Sequence, residues 1–273
     1  MSEKKNTTTS KKNGSRRIAL FRDTSLNFPK LYLQVYLAGE NEVENSLLRR
    51  MFVRGGCWQA ETPEEADLVV FGGGADVDPQ LYGASTHNTT EIDPARDEED
   101  LALWDICFHK GIPMLGICRG AQFGHVMCGG TLFQNVNNHN GDHSIYDEKN
   151  NRTITRVSSV HHQMVRPNAR MDVIARCAGK STQRAIDASS FETGPDKDIE
   201  AFFYRDVCFL GIQGHPEYSG YWSYQQWALR QINDYINNNP DLEKMDRRVR
   251  LKTNILDQRD DFTRTNQILK ENA

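Results

Sequence analysis

No run of about eighteen apolar residues occurs anywhere in the chain, so no segment reads as a membrane span. The first residues lack the apolar centre of a secretory signal. Neither charge sign dominates: 33 basic and 37 acidic residues leave a formal charge of −4, which gives no argument for nucleic acid as a partner. The six cysteines (57, 107, 118, 128, 177 and 208) are too scattered for a disulfide framework, and no C-x-x-C pair is present. Together these absences predict a cytoplasmic protein with reduced thiols. There is no internal repeat and no phosphate-binding loop, and Gly72-Gly73-Gly74-Ala75 does not fit the G-x-G-x-x-G dinucleotide pattern. At 273 residues, 38% hydrophobic and 26% charged, the chain is long enough for one large α/β domain or two small ones.

What is present is a series of short apolar segments alternating with amphipathic ones. Residues 1–16 are polar and read as a disordered basic tail. Strands are expected at 17–21 and 68–71, and a second strand or an insertion at 30–37. Val43, Leu47, Leu48, Met51 and Phe52 fall at helical spacing, and Gly55-Gly56 closes that helix. A second helix is expected over 95–110, with Leu101, Leu103, Trp104, Cys107 and Phe108 inward. After it, 131–134 leads into a polar stretch that runs to Asn151. Further strands read at 153–160, 171–178, 199–204 and 207–212, with 180–198 as a surface loop between them. A last helix over 219–236 places Tyr221, Tyr224, Ala228, Ile232 and Tyr235 on one face. Two strand-then-helix units imply right-handed crossovers and a parallel sheet. The expected division is a tail (1–16), a catalytic domain (17–237) and a charged, helical C-terminal extension (238–273). The extension is either a solvated appendage or a contact for self-association or a partner.

Chemistry concentrates in Gly116-Ile117-Cys118-Arg119-Gly120-Ala121-Gln122. A short apolar strand runs into Gly-x-Cys-x-Gly and then a helix, the shape of a nucleophile elbow with cysteine at its apex. Glycines remove side chains that would clash in so tight a turn. A helix N-terminus stabilises a thiolate; the alternative is a small buried core cysteine. A thiol nucleophile needs a base, and the base needs an orienting group. Gly211-Ile212-Gln213-Gly214-His215-Pro216-Glu217 offers both, His215 as base and Glu217 as its partner, with Pro216 stiffening the turn.

Taken together, G-I-C-R-G-A-Q, G-I-Q-G-H-P-E and F-G-G-G-A-D-V-D-P resemble the class I glutamine amidotransferase superfamily, in its gamma-glutamyl hydrolase-like branch. Leu81-Tyr82-Gly83, Ala95-Arg96-Asp97-Glu98 and Val157-Ser158-Ser159-Val160-His161-His162-Gln163 are similar to that branch as well. The resemblance implies a flavodoxin-like, three-layer α/β/α fold with a mostly parallel sheet. It implies a Cys118–His215–Glu217 triad that cleaves a γ-glutamyl amide through a glutamyl thioester. It also implies an oxyanion hole from the N–H groups of Arg119 and of the Gly73-Gly74 turn, and substrate contacts from Gln122, His161 and His162. Which of the two histidines touches substrate stays open. No cofactor and no metal are called for; His161-His162, or His139 with His143, are the alternative reading as metal ligands.

The expected partner is a small γ-glutamyl compound or glutamine. A separate synthetase that receives ammonia, and a non-catalytic regulatory relative, are the alternatives. Two positions depart from the family pattern. Gly214 replaces a large aromatic before the motif histidine, which predicts open space beside His215. Gly72 stands where relatives carry proline, which predicts a looser oxyanion turn.

Overall fold

Leu68–Phe71, Met114–Ile117 and Phe209–Ile212 are buried along their whole length. Strands with apolar residues on both faces belong in the middle of a sheet covered on both sides, and that is where the fold puts them. The computed structural model describes residues 28–39, 42–179, 183–192 and 198–239. The tail 1–16, the strand expected at 17–21 and the C-terminal segment from 240 onward lie outside the described residues.

The strands are β1 (Gln34–Leu37), β2 (Trp58–Gln59), β3 (Leu68–Phe71), β4 (Met114–Ile117), β5 (Leu132–Phe133), β6 (Asn135–Val136), β7 (His143–Asp147), β8 (Arg152–Val157), β9 (Met164–Val165), β10 (Asp172–Cys177), β11 (Arg184–Ala185), β12 (Phe191–Glu192), β13 (Ile199–Tyr204) and β14 (Phe209–Ile212). The helices are α1 (Glu42–Arg54), α2 (Pro94–Lys110), α3 (Arg119–Met127) and α4 (Trp222–Ile232). One nine-stranded sheet runs β2-β1-β3-β4-β14-β13-β10-β7-β8. Its first five strands are parallel, and β13, β10, β7 and β8 extend it antiparallel.

Side chains alternate across the sheet with the two-residue period of a strand. Leu68, Val70, Leu115 and Leu210 face a layer that holds Met51 and Phe52 of α1 and Trp227 and Leu229 of α4. Val69, Phe71, Met114 and Phe209 face the opposite layer, with Trp104 and Phe108 of α2 and Phe123 and Val126 of α3. This is the three-layer α/β/α arrangement. All six cysteines are buried and none forms a disulfide. Among the described residues, no helix is long and apolar enough to cross a membrane.

Several elements depart from the pattern reading. The polar stretch before Asn151 contains β7, a full member of the sheet, in which only Ile145 is a buried apolar residue. Its other buried side chain is Asp147, whose Oδ2 accepts from Trp227 Nε1 at 2.9 Å. A carboxylate satisfied by an indole fills a core position that hydrophobic alternation cannot announce. The expected surface loop at 180–198 carries β11 and β12, which pair with each other, β11 also pairing with β6. Arg184 there is buried against Asp198, Nε to Oδ1 at 2.8 Å. The last helix is α-helical only over Trp222–Ile232 and finishes as a π-helical turn, Asn233–Asn237.

The strand-to-helix packing depends on one close approach. A Cβ placed on Gly120 would stand 2.1 Å from the Phe71 carbonyl oxygen, whereas one on Gly83 would meet nothing within 4 Å. Gly83 needs glycine only for its φ of 68°. Gly120→Ala is therefore expected to lower the free energy of unfolding by about 1–3 kcal/mol, and Gly83→Ala by about 1 kcal/mol. Denaturant titration of the two variants checks that order.

Candidate active site

β4 lies between β3 and β14, so three chain segments leave the sheet side by side at its C-terminal edge, where ligands of open α/β sheets bind. After β3 comes the glycine turn, after β4 the cysteine, after β14 the His-Pro-Glu segment. The β4–β14 register pairs Ile117 with Ile212, and the Cys118 N–H donates to the Ile212 carbonyl at 2.9 Å. Residues far apart in sequence are thereby fixed to one edge.

Cys118 has φ 53° and ψ −111°, a conformation a side-chain-bearing residue adopts only under constraint. The elbow glycines supply that constraint. A Cβ on Gly116 would stand 2.4 Å from the backbone of Gly120. Helix α3 begins at the next residue, with no side-chain cap on its first turn. The thiol therefore sits at a helix N-terminus.

His215 and Glu217 are buried. His215 Nδ1 lies 2.6 Å from Glu217 Oε1, and Cys118 lies close enough to act on the ring electrostatically. Burial disfavours the imidazolium, but the Cys118 sulfur and the Glu217 carboxylate outweigh it and raise the His215 pKa to about 11. The proton rests on the imidazole, with Nδ1 donating to Glu217 and Nε2 facing the sulfur. Two residues that the pattern reading did not single out hold this ring. Ser158 Oγ accepts from the His215 N–H and donates to the His215 carbonyl, both at 2.8 Å. Tyr218 stacks on the imidazole with centroids 4.5 Å apart.

Gly214 does not open space beside the histidine. A Cβ there would stand 2.6 Å from the Ser158 carbonyl oxygen and 2.8 Å from the Tyr224 hydroxyl. The room an aromatic would take is filled by Tyr224 from α4. Nor is the turn at Gly72 free: its carbonyl accepts from the Gly120 N–H at 3.0 Å. Gly74 has φ 142°, which requires glycine. Neither the Gly74 nor the Arg119 N–H is taken by a backbone carbonyl among the described residues.

The Arg119 side chain turns away from the cleft and is buried, paired with Asp97 and Asp100 of α2. Arg96 Nε joins Asp100 Oδ2 at 3.1 Å, and its guanidinium packs against Gly39 and Gly74. Burial raises the Asp97 pKa, partly offset by the Arg119 charge. Asp97 and Arg96 stood in a stretch already matched to the family; Asp100, a turn further on, gave no signal of its own.

Cys118 opens onto a cleft of about 540 Å³ lined by Gly74, Asp76, Glu91, Gln122, His161 and His162, among others. Gly73 is buried and is not part of the lining. Gln122 is anchored by Nε2 donating to the Gln163 carbonyl at 3.0 Å. His162 Nε2 lies 3.1 Å from Asp76 Oδ2, which raises its pKa. His161 is buried with Nδ1 2.9 Å from the Gln163 carbonyl; burial lowers its pKa to about 4, so it is neutral. Both histidines thus reach the cleft, one neutral and one beside a carboxylate. The residues grouped closely enough to hold a metal ion, among those described, are His139, His143, Cys177 and Glu200, and none of them lines this cleft.

Residues 59–217 match the family model described as Peptidase C26. The chain is 24% identical over 204 residues to the "Putative glutamine amidotransferase" of Schizosaccharomyces pombe, covering 64% of this chain and 76% of that protein. It is 26% identical over 150 residues to the gamma-glutamyl-CDP-amidate hydrolase of Campylobacter jejuni, covering 55% of this chain and 61% of that one. Among solved structures, PurLQS from Thermotoga maritima superposes with a TM-score of 0.52 at 12% identity, over 74% of this chain and 97% of the matched chain; this likeness is one of fold. With the family model spanning both the cysteine elbow and the His-Pro-Glu segment, the chain belongs to the Peptidase C26 family, within the class I glutamine amidotransferase type.

Proposed function

We propose that the chain hydrolyses a γ-glutamyl amide with Cys118 as nucleophile. One observation carries this reading: the cysteine sits at the apex of a constrained elbow and opens onto a cleft, beside a histidine that is itself held by Glu217. The sulfur attacks the γ-carbonyl carbon, and the carbonyl oxygen becomes an oxyanion. The N–H groups of Arg119 and Gly74 receive it, with Gly73 shaping the turn. His215 gives its proton to the leaving amine as the C–N bond breaks, leaving a glutamyl thioester. The neutral imidazole then takes a proton from water as the water attacks, and the thiol is regenerated with release of glutamate. Glu217 keeps the ring oriented and stabilises its cation. Asp76 and Glu91 on the cleft wall suit the α-ammonium of a glutamyl group, and Gln122, His161 and His162 suit its other polar atoms. The relative from Campylobacter jejuni, named as a hydrolase of a γ-glutamyl amidate, supports the same chemical class.

Purified full-length protein is expected to release glutamate from γ-glutamyl amines, and a glutamine-analogue electrophile is expected to add one equivalent of mass at Cys118. No turnover and no adduct would overturn the proposal. Turnover of glutamine only with an added synthetase would move the protein to ammonia supply. Cys118→Ala is expected to lower kcat by about 10³-fold or more, and Glu217→Gln by about 10²- to 10⁴-fold, both read from glutamate release.

The raised His215 pKa gives a separate prediction. In nuclear magnetic resonance spectra its ring is expected to stay protonated through the ordinary imidazole range near about 6.5 and to titrate only toward about 11. Cys118→Ala removes the sulfur that helps raise this pKa and leaves the burial, so the titration is expected to shift downward.

A further inference from the structure

We infer that His139, His143, Cys177 and Glu200 form a structural zinc site on the antiparallel side of the sheet, outside the cleft. One donor atom from each lies within 4.8 Å of one from every other. Cys177 ends β10, Glu200 lies in β13 and His143 starts β7, three neighbouring strands of the sheet. His139 comes from the turn that leads into β7.

The cluster is not closed by its own hydrogen bonds. His139 Nε2 lies 2.8 Å from Asp198 Oδ2. Its Nδ1 lies 3.5 Å from Glu200 Oε1 and makes no hydrogen bond. His139 Nδ1 and Glu200 Oε2 are both buried without a hydrogen-bond partner, in residues 1% and 0% exposed. Buried acceptors without a donor are uncommon. A cation between them satisfies both. His143 Nε2, 2.9 Å from Glu200 Oε1, brings a second imidazole to the same point, and the Cys177 sulfur lies within 4.8 Å of the other donor atoms.

The donor set selects the ion. Two imidazoles, a thiolate and a carboxylate suit zinc in tetrahedral coordination, and the thiolate disfavours magnesium and calcium. Bonds of about 2.0–2.3 Å place tetrahedral ligand atoms about 3.3–3.8 Å apart, so the donors close in by about 1 Å on binding. Asp198 on the far nitrogen of His139 is the outer carboxylate that metal-bound histidines commonly carry, and Arg184 Nε holds Asp198 in turn at 2.8 Å. Binding breaks the Cys177 S–H bond, the sulfur keeping the electron pair for the metal and the proton passing to solvent. Four protein donors leave no position for a reacting water, which makes the site structural. It also braces the cleft: the His139 ring lies against that of His161, centroids 4.8 Å apart.

The test uses the full-length protein, stripped with a chelator and reconstituted with zinc or with cobalt. Wild type is expected to hold stoichiometric zinc by elemental analysis and to unfold at a higher temperature with zinc than with chelator. The cobalt form is expected to show a sulfur-to-metal charge-transfer band. Cys177→Ser is expected to lose that band and to weaken zinc binding at least about tenfold, and Cys118→Ala is expected to keep both. Only trace zinc in folded wild type, with an unfolding temperature indifferent to zinc and chelator, would overturn the inference. So would zinc that survives in Cys177→Ser but is lost from Cys118→Ala. If Cys177→Ser fails to fold, the cobalt band of wild type and its persistence in Cys118→Ala decide the matter.

Discussion

Parallel pairing of β4 between β3 and β14 is the constraint on which the cleft depends. In-register pairing of Ile117 with Ile212, together with the Cys118 N–H on the Ile212 carbonyl, leaves little freedom in where the next residues emerge. On the other flank, the Gly72 carbonyl takes the Gly120 N–H, so the glycine turn and the elbow are tied through a single backbone bond. No side chain chosen for chemistry sets these positions. They follow from ladder hydrogen bonds in strands buried on both faces, where a register slip would send every apolar residue to the wrong layer.

The elbow is then held from below by charge. Arg119 sits directly after Cys118, and in the proposed reaction its backbone N–H faces the oxyanion, which leaves its side chain available as an anchor. That side chain is buried between Asp97 and Asp100, and Arg96 shares Asp100 while packing against Gly74. Desolvating four charges is expensive, and such networks contribute little net stability. Their geometric effect is larger. Losing any one partner would leave an uncompensated buried charge, so the elbow, α2 and the glycine turn move together or not at all.

Backbone-driven features were legible in the sequence. Gly116 and Gly120 around Cys118 announced the elbow, and the close approaches at both glycines are the reason no other residue fits. The unbroken apolar run of Leu68 to Phe71 and the helical spacing of 42–53 and 95–110 pointed to the parallel core and its covering helices. The antiparallel half was poorly legible. Asp147, Glu200, Arg184 and Asp198 are buried polar residues that alternation does not announce, and each pairs with a side chain that is not its sequence neighbour. Ser158 and Tyr218 escaped for a similar reason, since a residue that clamps a histidine backbone or stacks on its ring carries no spacing signature.

Gly214 shows how a local departure can be misread when the compensating residue is distant. A small residue beside His215 suggests a void if only the motif is considered. The Tyr224 hydroxyl, one of the largest buried side chains reaching in from α4, takes that volume, and the Ser158 carbonyl closes the rest. The same Ser158 holds the histidine backbone through its hydroxyl, so the residue that leaves no room at 214 also fixes the ring at 215. A bulkier residue at 214 would displace that clamp before it reached the cleft. Interiors tolerate little excess volume, and the pressure that would come from a larger side chain falls on the Ser158 contact that holds the His215 backbone.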